Sequence, residues 1–462
     1  MEIDMETDAS HLVEKFEKQT LNVQENVTSL SSRINFDDVI TKEMIEDTEK
    51  FLKNHRIDAE KELEEQHKKL MIEMHLLFHE RPQLKKICEN RSSQLVLSCF
   101  TKYNFQKKSY LPRDDLLDLG DLKYIIQSFG YNLTYLNVTS YPFSQIMPLI
   151  NINCPGLKQL YVEFKEINDQ DFENVFSNMH KLKELRVTWN CKNSALPMTL
   201  VKSLEQVGET LKFLHFSCYE KKATFLPDSL ASVLPRLIAL EEFTVYNFHL
   251  SAPLVQSLGE TKNLIRLLFL PPTKYPIINE KIDMYPIGNL KNLGLLAIRW
   301  DWGGTDEFLI NLCNNSKELR DINIAGTNIT DDGMIAINNL RHLTYLNLGL
   351  LRLKKTNNFI TDKSIECLFN ETLRALDLAN CTKISNRSVI KAFENLPNLS
   401  SLFVENTNVT IEVVEELSKL TKFHETKLHV YVSFEDCNGI FKSLLASHNI
   451  EFKTQTGCAM WR

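Results

Sequence analysis

The sequence is poor in the two residue types on which turn-rich β folds depend. Glycine and proline each occur only 14 times in 462 residues. Sandwiches and barrels need both at their many turns, so this scarcity favours helices joined by short strands. No apolar run approaches the roughly 20 residues that span a bilayer, and residues 1–10 lack the pattern of a secretory leader. We therefore expect a cytoplasmic or nuclear location and no membrane partner.

Motifs of catalysis and of metal binding are also missing from the sequence. It contains no G-x-S-x-G, G-x-x-x-x-G-K-S/T, H-E-x-x-H or G-x-G-x-x-G motif. None of the ten cysteines forms the C-x-x-C pair that zinc and redox sites use. We predict that the chain is not an enzyme and holds no cofactor or metal. The cysteines are expected to be small buried apolar residues.

Positive charge is not in excess, because 53 Lys and Arg face 60 Asp and Glu, which gives a net charge of −7. A chain with this balance has no global basic field to attract a phosphate backbone. Nucleic acid is therefore not an expected partner.

What the sequence does contain is a repeated pattern of leucines. The unit Leu-x-x-Leu-x-apolar, with Phe243 and Ile322 in place of the second leucine in two copies, recurs eleven times at steps of 24 to 30 residues. Its copies begin at Leu133, Leu157, Leu182, Leu211, Leu240, Leu264, Leu293, Leu319, Leu343, Leu373 and Leu399. This period is close to that of leucine-rich repeats. The last two apolar positions share one face of a short strand, which can bury them only when copies are stacked.

Helical patterns lie between the copies, for example at 331–340, 386–393 and 411–417. Thr330, Ser385 and Thr410 precede these stretches and are candidate N-caps. The alternation predicts an α/β leucine-rich-repeat solenoid, with a parallel sheet on the concave face, helices outside and an α-helical segment at the N-terminus.

Two of the copies carry a more specific resemblance. The segment from Leu373 to Ser385, with Cys381 and Ile384, resembles the cysteine-containing leucine-rich repeat of F-box substrate receptors, and Leu319 to Met334 is similar. In that family a helical F-box holds the adaptor of a cullin-based ubiquitin ligase of the SCF type, and the repeats present a target protein. The resemblance therefore implies a substrate receptor with a degenerate or absent F-box.

Two segments precede the solenoid, which we assign to residues 106–462. Residues 1–69 have a charged helical pattern with the spacing of a short coiled coil. This pattern allows two interpretations, a helical hairpin that leans on the solenoid or a helix for self-association. Residues 70–105 resemble a degenerate F-box, although no Leu-Pro opens them and no tryptophan follows Cys88. They are alternatively capping helices. If F-box-like, they would bind the adaptor through Ile72, Leu76, Leu77, Leu84, Ile87 and Leu95.

Side chains between the core leucines are expected to point to the concave face, where solenoids bind their partners. The predicted partner-binding residues are Tyr161, Glu184, Arg186, Phe213, His215, Tyr246, Arg266, Arg299 and Tyr345. Further face residues are Asp321, Asn323, Asn347, Asp377, Phe403 and Glu405. Aromatic residues and arginines are typical of protein interfaces. Trp300 and Trp302 follow a predicted strand. They have two possible interpretations, a buried plug or a contact patch.

These features predict a scaffold for protein–protein interaction that uses its concave face, in one version as the substrate receptor of an SCF-type ligase. The alternative is a non-ligase adaptor or an inhibitory binding protein that self-associates through its N-terminal helices.

Overall fold

A computed structural model of the chain describes residues 101–105, 119–191, 196–219, 224–270, 282–298, 304–324, 328–349, 356–420, 427–433 and 450–454. The chain divides into two compact units, Met1–Ser93 and Gln94–Arg462, and the described residues all belong to the second. The predicted N-terminal segment 1–69 lies outside the described residues, as do Arg299, Trp300, Trp302 and the predicted adaptor-binding residues Ile72, Leu76, Leu77, Leu84, Ile87 and Leu95.

The described part of the chain contains one parallel sheet of 14 strands. In sheet order these are β1 (Lys102–Asn104), β2 (Tyr135–Val138), β3 (Gln159–Phe164), β4 (Glu184–Trp189), β5 (Phe213–Cys218), β7 (Glu242–Tyr246), β9 (Arg266–Leu270), β10 (Leu295–Ile298), β11 (Asp321–Asn323), β12 (Tyr345–Asn347), β14 (Ala375–Asp377), β16 (Ser401–Phe403), β17 (Leu428–Val432) and β18 (Ile450–Thr454). Two short parallel pairs flank it, β6 (Thr224–Phe225) with β8 (Phe248–His249) and β13 (Asn357–Thr361) with β15 (Cys381–Lys383).

The eleven predicted repeats form eleven successive strands of this sheet, from β2 to β16. Their central apolar residues pair in register, Leu136 opposite Leu160 and Leu160 opposite Leu185, and all three are fully buried. Each strand thus buries its apolar face only because the next copy continues the same core. The solenoid fold predicted from the leucine spacing is confirmed.

The sheet also extends beyond the leucine pattern at both ends. Strand β1 precedes residue 106, where the repeats placed the start of the solenoid, and Tyr103 and Phe105 are buried there. Strands β17 and β18 continue the sheet after the last complete copy.

Helices connect the strands and cover one face of the sheet. They are α1 (Leu119–Phe129), α2 (Met147–Asn153), α3 (Met198–Ser203), α4 (Leu230–Val233), α5 (Ala252–Gly259), α6 (Asp306–Asn315), α7 (Asp331–Met334), α8 (Asp362–Glu366), α9 (Asn386–Asn395) and α10 (Glu412–Leu420). Short 3₁₀ turns complete several connections, and Phe172 of the turn Asp169–Phe172 packs edge-on against Phe164 of β3 with ring centroids 5.2 Å apart. The core therefore lies between this layer and the sheet.

Consecutive helices are joined by a ladder of capped termini. The Thr330 hydroxyl accepts from the amide of Asp332, as an N-cap should, and the same residue donates its own amide and hydroxyl to the Asp306 carboxylate at 2.8 and 2.6 Å. The contact to the preceding helix recurs for Thr361 with Asp331, Ser385 with Asp362 and Thr410 with Asn386. The predicted caps at Thr330 and Ser385 are confirmed, and the acidic partner adds a bond between repeats.

Five of the described cysteines, Cys154, Cys191, Cys218, Cys313 and Cys381, are buried free thiols, and Cys367 is partly buried. Burial raises the pKa of the Cys154 thiol to about 12, so this side chain stays protonated and unreactive. The expectation of small buried cysteines is confirmed for these five.

Candidate protein-binding face

The sheet face opposite the helices, called the open face below, carries side chains in rows that cross the strands. The first row is Tyr135, Gln159, Glu184, Phe213, Glu242, Arg266, Leu295, Asp321, Tyr345, Ala375, Ser401, His429 and Glu451. The second row is Asn137, Tyr161, Arg186, His215, Thr244, Leu268, Ala297, Asn323, Asn347, Asp377, Phe403, Tyr431 and Lys453. Alternation along each strand places these residues opposite the core.

One cluster on this face is organised around Glu184. Its carboxylate accepts hydrogen bonds from Tyr161 Oη at 2.8 Å, Arg186 Nε at 2.7 Å and Gln159 Nε2 at 2.6 Å. The Arg186 guanidinium lies over the Tyr161 ring, 4.6 Å from its centroid. Glu184 is only 9% exposed, whereas about half of the Arg186 side chain is in solvent. Glu184 therefore orients its neighbours, and Arg186 is the residue that a partner would contact.

The ionisation of this cluster follows from its geometry. Burial acts to raise the pKa of Glu184, but hydrogen bonds from Tyr161 and Arg186 and the guanidinium charge outweigh it and hold the pKa below its ordinary value. Burial and the hydrogen bond to Glu184 raise the pKa of Tyr161 to about 12. At neutral pH the cluster thus contains a carboxylate, a neutral phenol and a guanidinium, which is the arrangement that best satisfies all three.

A second arginine, three strands from Arg186 in the sheet, also contacts a glutamate and an aromatic ring. Arg266 forms an ion pair with Glu242, and its guanidinium lies 5.8 Å from the centroid of the Phe213 ring. About half of its side chain is exposed. At about 4.8 Å per strand, the backbones that carry Arg186 and Arg266 are roughly 14 Å apart. We call the region of β3 to β9 that contains both arginines the arginine surface.

His215 lies between the two arginines on β5. Burial and the nearby Arg186 charge lower the pKa of His215 to about 4, and the Glu184 charge opposes this only in part. The imidazole is therefore neutral over the physiological range, so it adds contact area to the arginine surface and no charge.

Tyr246 lies on the arginine surface beside Tyr219, a residue that was not predicted as a contact. Its ring lies 5.7 Å from that of Tyr219, which follows β5 and is 65% exposed. The signal for Tyr219 was available, since it is an aromatic residue just after a predicted strand.

Tyr345 is not part of this surface. Strands β10 and β11 separate it from Arg266, and the open face there carries Leu295 and Ala297. The Tyr345 hydroxyl accepts a hydrogen bond from Asn347 Nδ2 at 3.1 Å. The predicted residues thus divide between two regions of the face.

The open face also contains residues that the repeat pattern missed. His429 and Tyr431 lie on β17, and the Lys453 ammonium of β18 is 5.8 Å from the Tyr431 ring. His429 Nδ1 is 3.1 Å from Glu451 Oε2. Only the alternation of Leu428, Val430 and Val432 signals this strand, because no leucine leads into it.

Within the described ranges, no group of three or more His, Cys, Asp or Glu side chains is placed to hold a metal ion. In the same ranges no helix is long and apolar enough to cross a membrane.

Comparison with known proteins adds similar structures but no family. No family model and no curated protein sequence matches the chain. Similar solved structures include the yeast complex of Rad7 and Elc1, at 17% identity and a TM-score of 0.41 over 81% of this chain and 96% of that one. Others are the leucine-rich-repeat protein LIC12759 of Leptospira interrogans (16%, 0.38, 75% and 86%) and TLR13 in complex with ssRNA13 (17%, 0.35, 67% and 40%). The class of this protein, a leucine-rich-repeat solenoid, rests on the repeats and on the register of its own sheet.

Proposed function

We propose that this protein is a non-enzymatic interaction scaffold that binds a protein partner on its arginine surface. The observation that carries this proposal is the pair of half-exposed arginines, Arg186 and Arg266, each held by a glutamate and by an aromatic ring. Arginine and aromatic residues supply most of the binding energy in protein interfaces.

The two arginines are pre-organised for binding. An arginine free in solvent loses rotamer freedom when a partner immobilises it, which costs about 0.5–1.5 kcal/mol. Arg186 is already fixed by Glu184 and Tyr161, so less of that cost remains. The strands beneath are rigid parts of the sheet, which keeps the distance between the two guanidinium groups defined.

Affinity purification of the tagged full chain tests this proposal with a matched control. Arg186→Ala combined with Arg266→Ala should lose a specific partner, because each hot-spot arginine contributes about 2 kcal/mol or roughly 30-fold in affinity. The control is Arg236→Ala with Arg387→Ala, two arginines on the helical side that pair with Glu205 and Glu366. Equal recovery of every partner by both double variants would contradict the proposal.

As the more specific version, we propose a substrate receptor of an SCF-type ubiquitin ligase, in which segment 70–105 holds the adaptor. Its support is the resemblance of Leu373–Ser385 to the repeats of F-box proteins. Cys381, which carries that resemblance, is buried, and its thiol donates to the carbonyl of Leu348 at 3.8 Å.

Purification of the complex tests the ligase version separately. The wild type should bring down a cullin adaptor, Leu77→Asp with Ile87→Asp should abolish this, and Gln83→Asp in the same segment should not. If no adaptor accompanies the wild type, the ligase version is wrong. A non-ligase adaptor or inhibitory binding protein that self-associates through its N-terminal helices would then remain.

A further inference from the structure

The carboxylates of the open face differ between its two halves in whether they form ion pairs. On the arginine surface Glu184 and Glu242 each pair with an arginine, and Glu163 lies 3.3 Å from the Lys165 ammonium. On β11 to β16, none of the described lysines or arginines lies within ion-pair distance of Asp321 or Glu405. Asp321 and Glu405 therefore have no ion pair with a lysine or arginine in the described part of the chain.

Glu405, two residues after β16, is the most unusual of these groups. It is only 2% exposed, and neither carboxylate oxygen has a hydrogen-bond partner. The side-chain amide nitrogen of Asn380, whose backbone amide donates to the Glu405 carbonyl, is also buried without a partner. A buried acceptor left unsatisfied costs about 1–3 kcal/mol and more when it is charged. Buried polar groups without a hydrogen-bond partner are rare in folded proteins, so this one calls for an explanation.

Aromatic rings and further carboxylates lie on the strands that precede this position in the sheet. Asp321 on β11 pairs in register with Tyr345, and Asp377 on β14 pairs with Phe403. Burial raises the pKa of Asp321, and burial followed by the Asp377 charge raises the pKa of Glu405 to about 7. We call Asp321, Tyr345, Asp377, Phe403 and Glu405 the acidic surface.

The aromatic ring that stacks on Phe403 has a cation beside it. Phe403 stacks on Tyr431 with ring centroids 4.3 Å apart, and the Lys453 ammonium approaches the same Tyr431 ring. Cations over aromatic faces gain about 0.5–2 kcal/mol.

We propose that the acidic surface binds a segment of a protein partner that contains lysine or arginine. The basic side chains donate charge-assisted hydrogen bonds to the half-buried carboxylates of Asp321 and Asp377 and pack over Tyr345 and Phe403, while their charge favours the ionised form of Glu405 beneath them. Strands β11 to β16 span roughly 14 Å, about four residues of an extended peptide. This surface is separate from the arginine surface, so either can fail without the other.

Selection of displayed random twelve-residue peptides on the immobilised full chain tests this proposal. The wild type should enrich lysine and arginine, and Asp321→Asn with Glu405→Gln should lose that enrichment. The control, Asp332→Asn with Glu394→Gln, replaces one aspartate and one glutamate on the helical side and should keep the enrichment. This control separates the surface from the general attraction of a chain with net charge −7.

The selected peptides then distinguish the two binding surfaces. Their affinity should fall at least about tenfold in Asp321→Asn with Glu405→Gln, and Arg186→Ala with Arg266→Ala should not change it. Titration calorimetry at pH 7 in buffers of different ionisation enthalpy should show proton release that Glu405→Gln abolishes.

Three results would overturn the proposal. They are no basic enrichment by the wild type, enrichment that survives Asp321→Asn with Glu405→Gln, and enrichment that appears only when Arg352, Lys354 and Lys355 are replaced by serine. In the last case the occupant would be the chain's own basic segment and not a partner.

Discussion

Replacing Glu405 by glutamine should make the protein more stable at neutral pH. Burial raises the pKa of this carboxyl from 4.5 to about 7 in the folded chain. Below pH 4.5 both the folded and the unfolded chain hold the proton, so the wild type loses nothing. Between pH 4.5 and 7 the unfolded chain releases it while the folded chain retains it, which lowers the free energy of unfolding. Above pH 7 the loss is constant at about 3 kcal/mol, from about 1.4 kcal/mol per pKa unit.

Urea unfolding followed by circular dichroism at pH 5, 6, 7 and 8 measures this effect. Glutamine has nearly the same shape and does not titrate, so the gain of Glu405→Gln over the wild type should grow with pH and level off above pH 7. Glu394→Gln, at a helix surface beside Lys391, is the matched control and should show no such growth. If the gain of Glu405→Gln does not change between pH 5 and 8, the carboxyl is not buried without a partner as the structure describes.

Three further predictions concern the ladder, the core and the arginine surface. Asp306→Ala should lower the free energy of unfolding by about 1–2 kcal/mol, because the Thr330 amide and hydroxyl lose their acceptor, whereas Asp332→Ala should change it by less than about 0.5 kcal/mol in urea unfolding. Trp189→Ala should cost about 3–5 kcal/mol in the same measurement, since the fully buried indole leaves a cavity; a smaller loss would mean that the core collapses around the site. Partner affinity measured by calorimetry should stay constant between about pH 5.5 and 7.5 if His215 remains neutral, and a change that His215→Gln removes would contradict its lowered pKa.

The leucine spacing predicted eleven strands because each has to bury two apolar side chains, and stacking of the copies provides the neighbours that bury them. The leucine spacing did not predict the strands toward the two ends of the sheet. Lys102–Asn104 buries Tyr103 without a leucine, and Leu428–Val432 shows only an alternation that many isolated strands share. In the described sheet β1 pairs with one strand only, so packing constrains fewer of its positions, whereas β17 pairs with both β16 and β18 and is missed because no leucine precedes its alternation.

The face residues were predictable as a set, but their grouping was not. Alternation along a strand places Glu184 and Arg186 on the same face, but the bond from Tyr161 to Glu184 joins residues of different repeats through the sheet register. The leucine pattern specifies the register of the strands, but it does not specify which side-chain conformers bring neighbouring face residues into contact. Glu184 was therefore predicted as a contact, whereas the structure places it beneath the residues that a partner would touch.

The most direct test of partner binding on the open face is photo-cross-linking of the complex. A photoreactive phenylalanine analogue replaces Phe213, on the arginine surface, or Phe369, which is 59% exposed and follows α8 outside the sheet. Binding on the open face predicts a cross-link to the partner from position 213 and none from position 369. A cross-link from position 369 alone would place the partner elsewhere and contradict the proposed function.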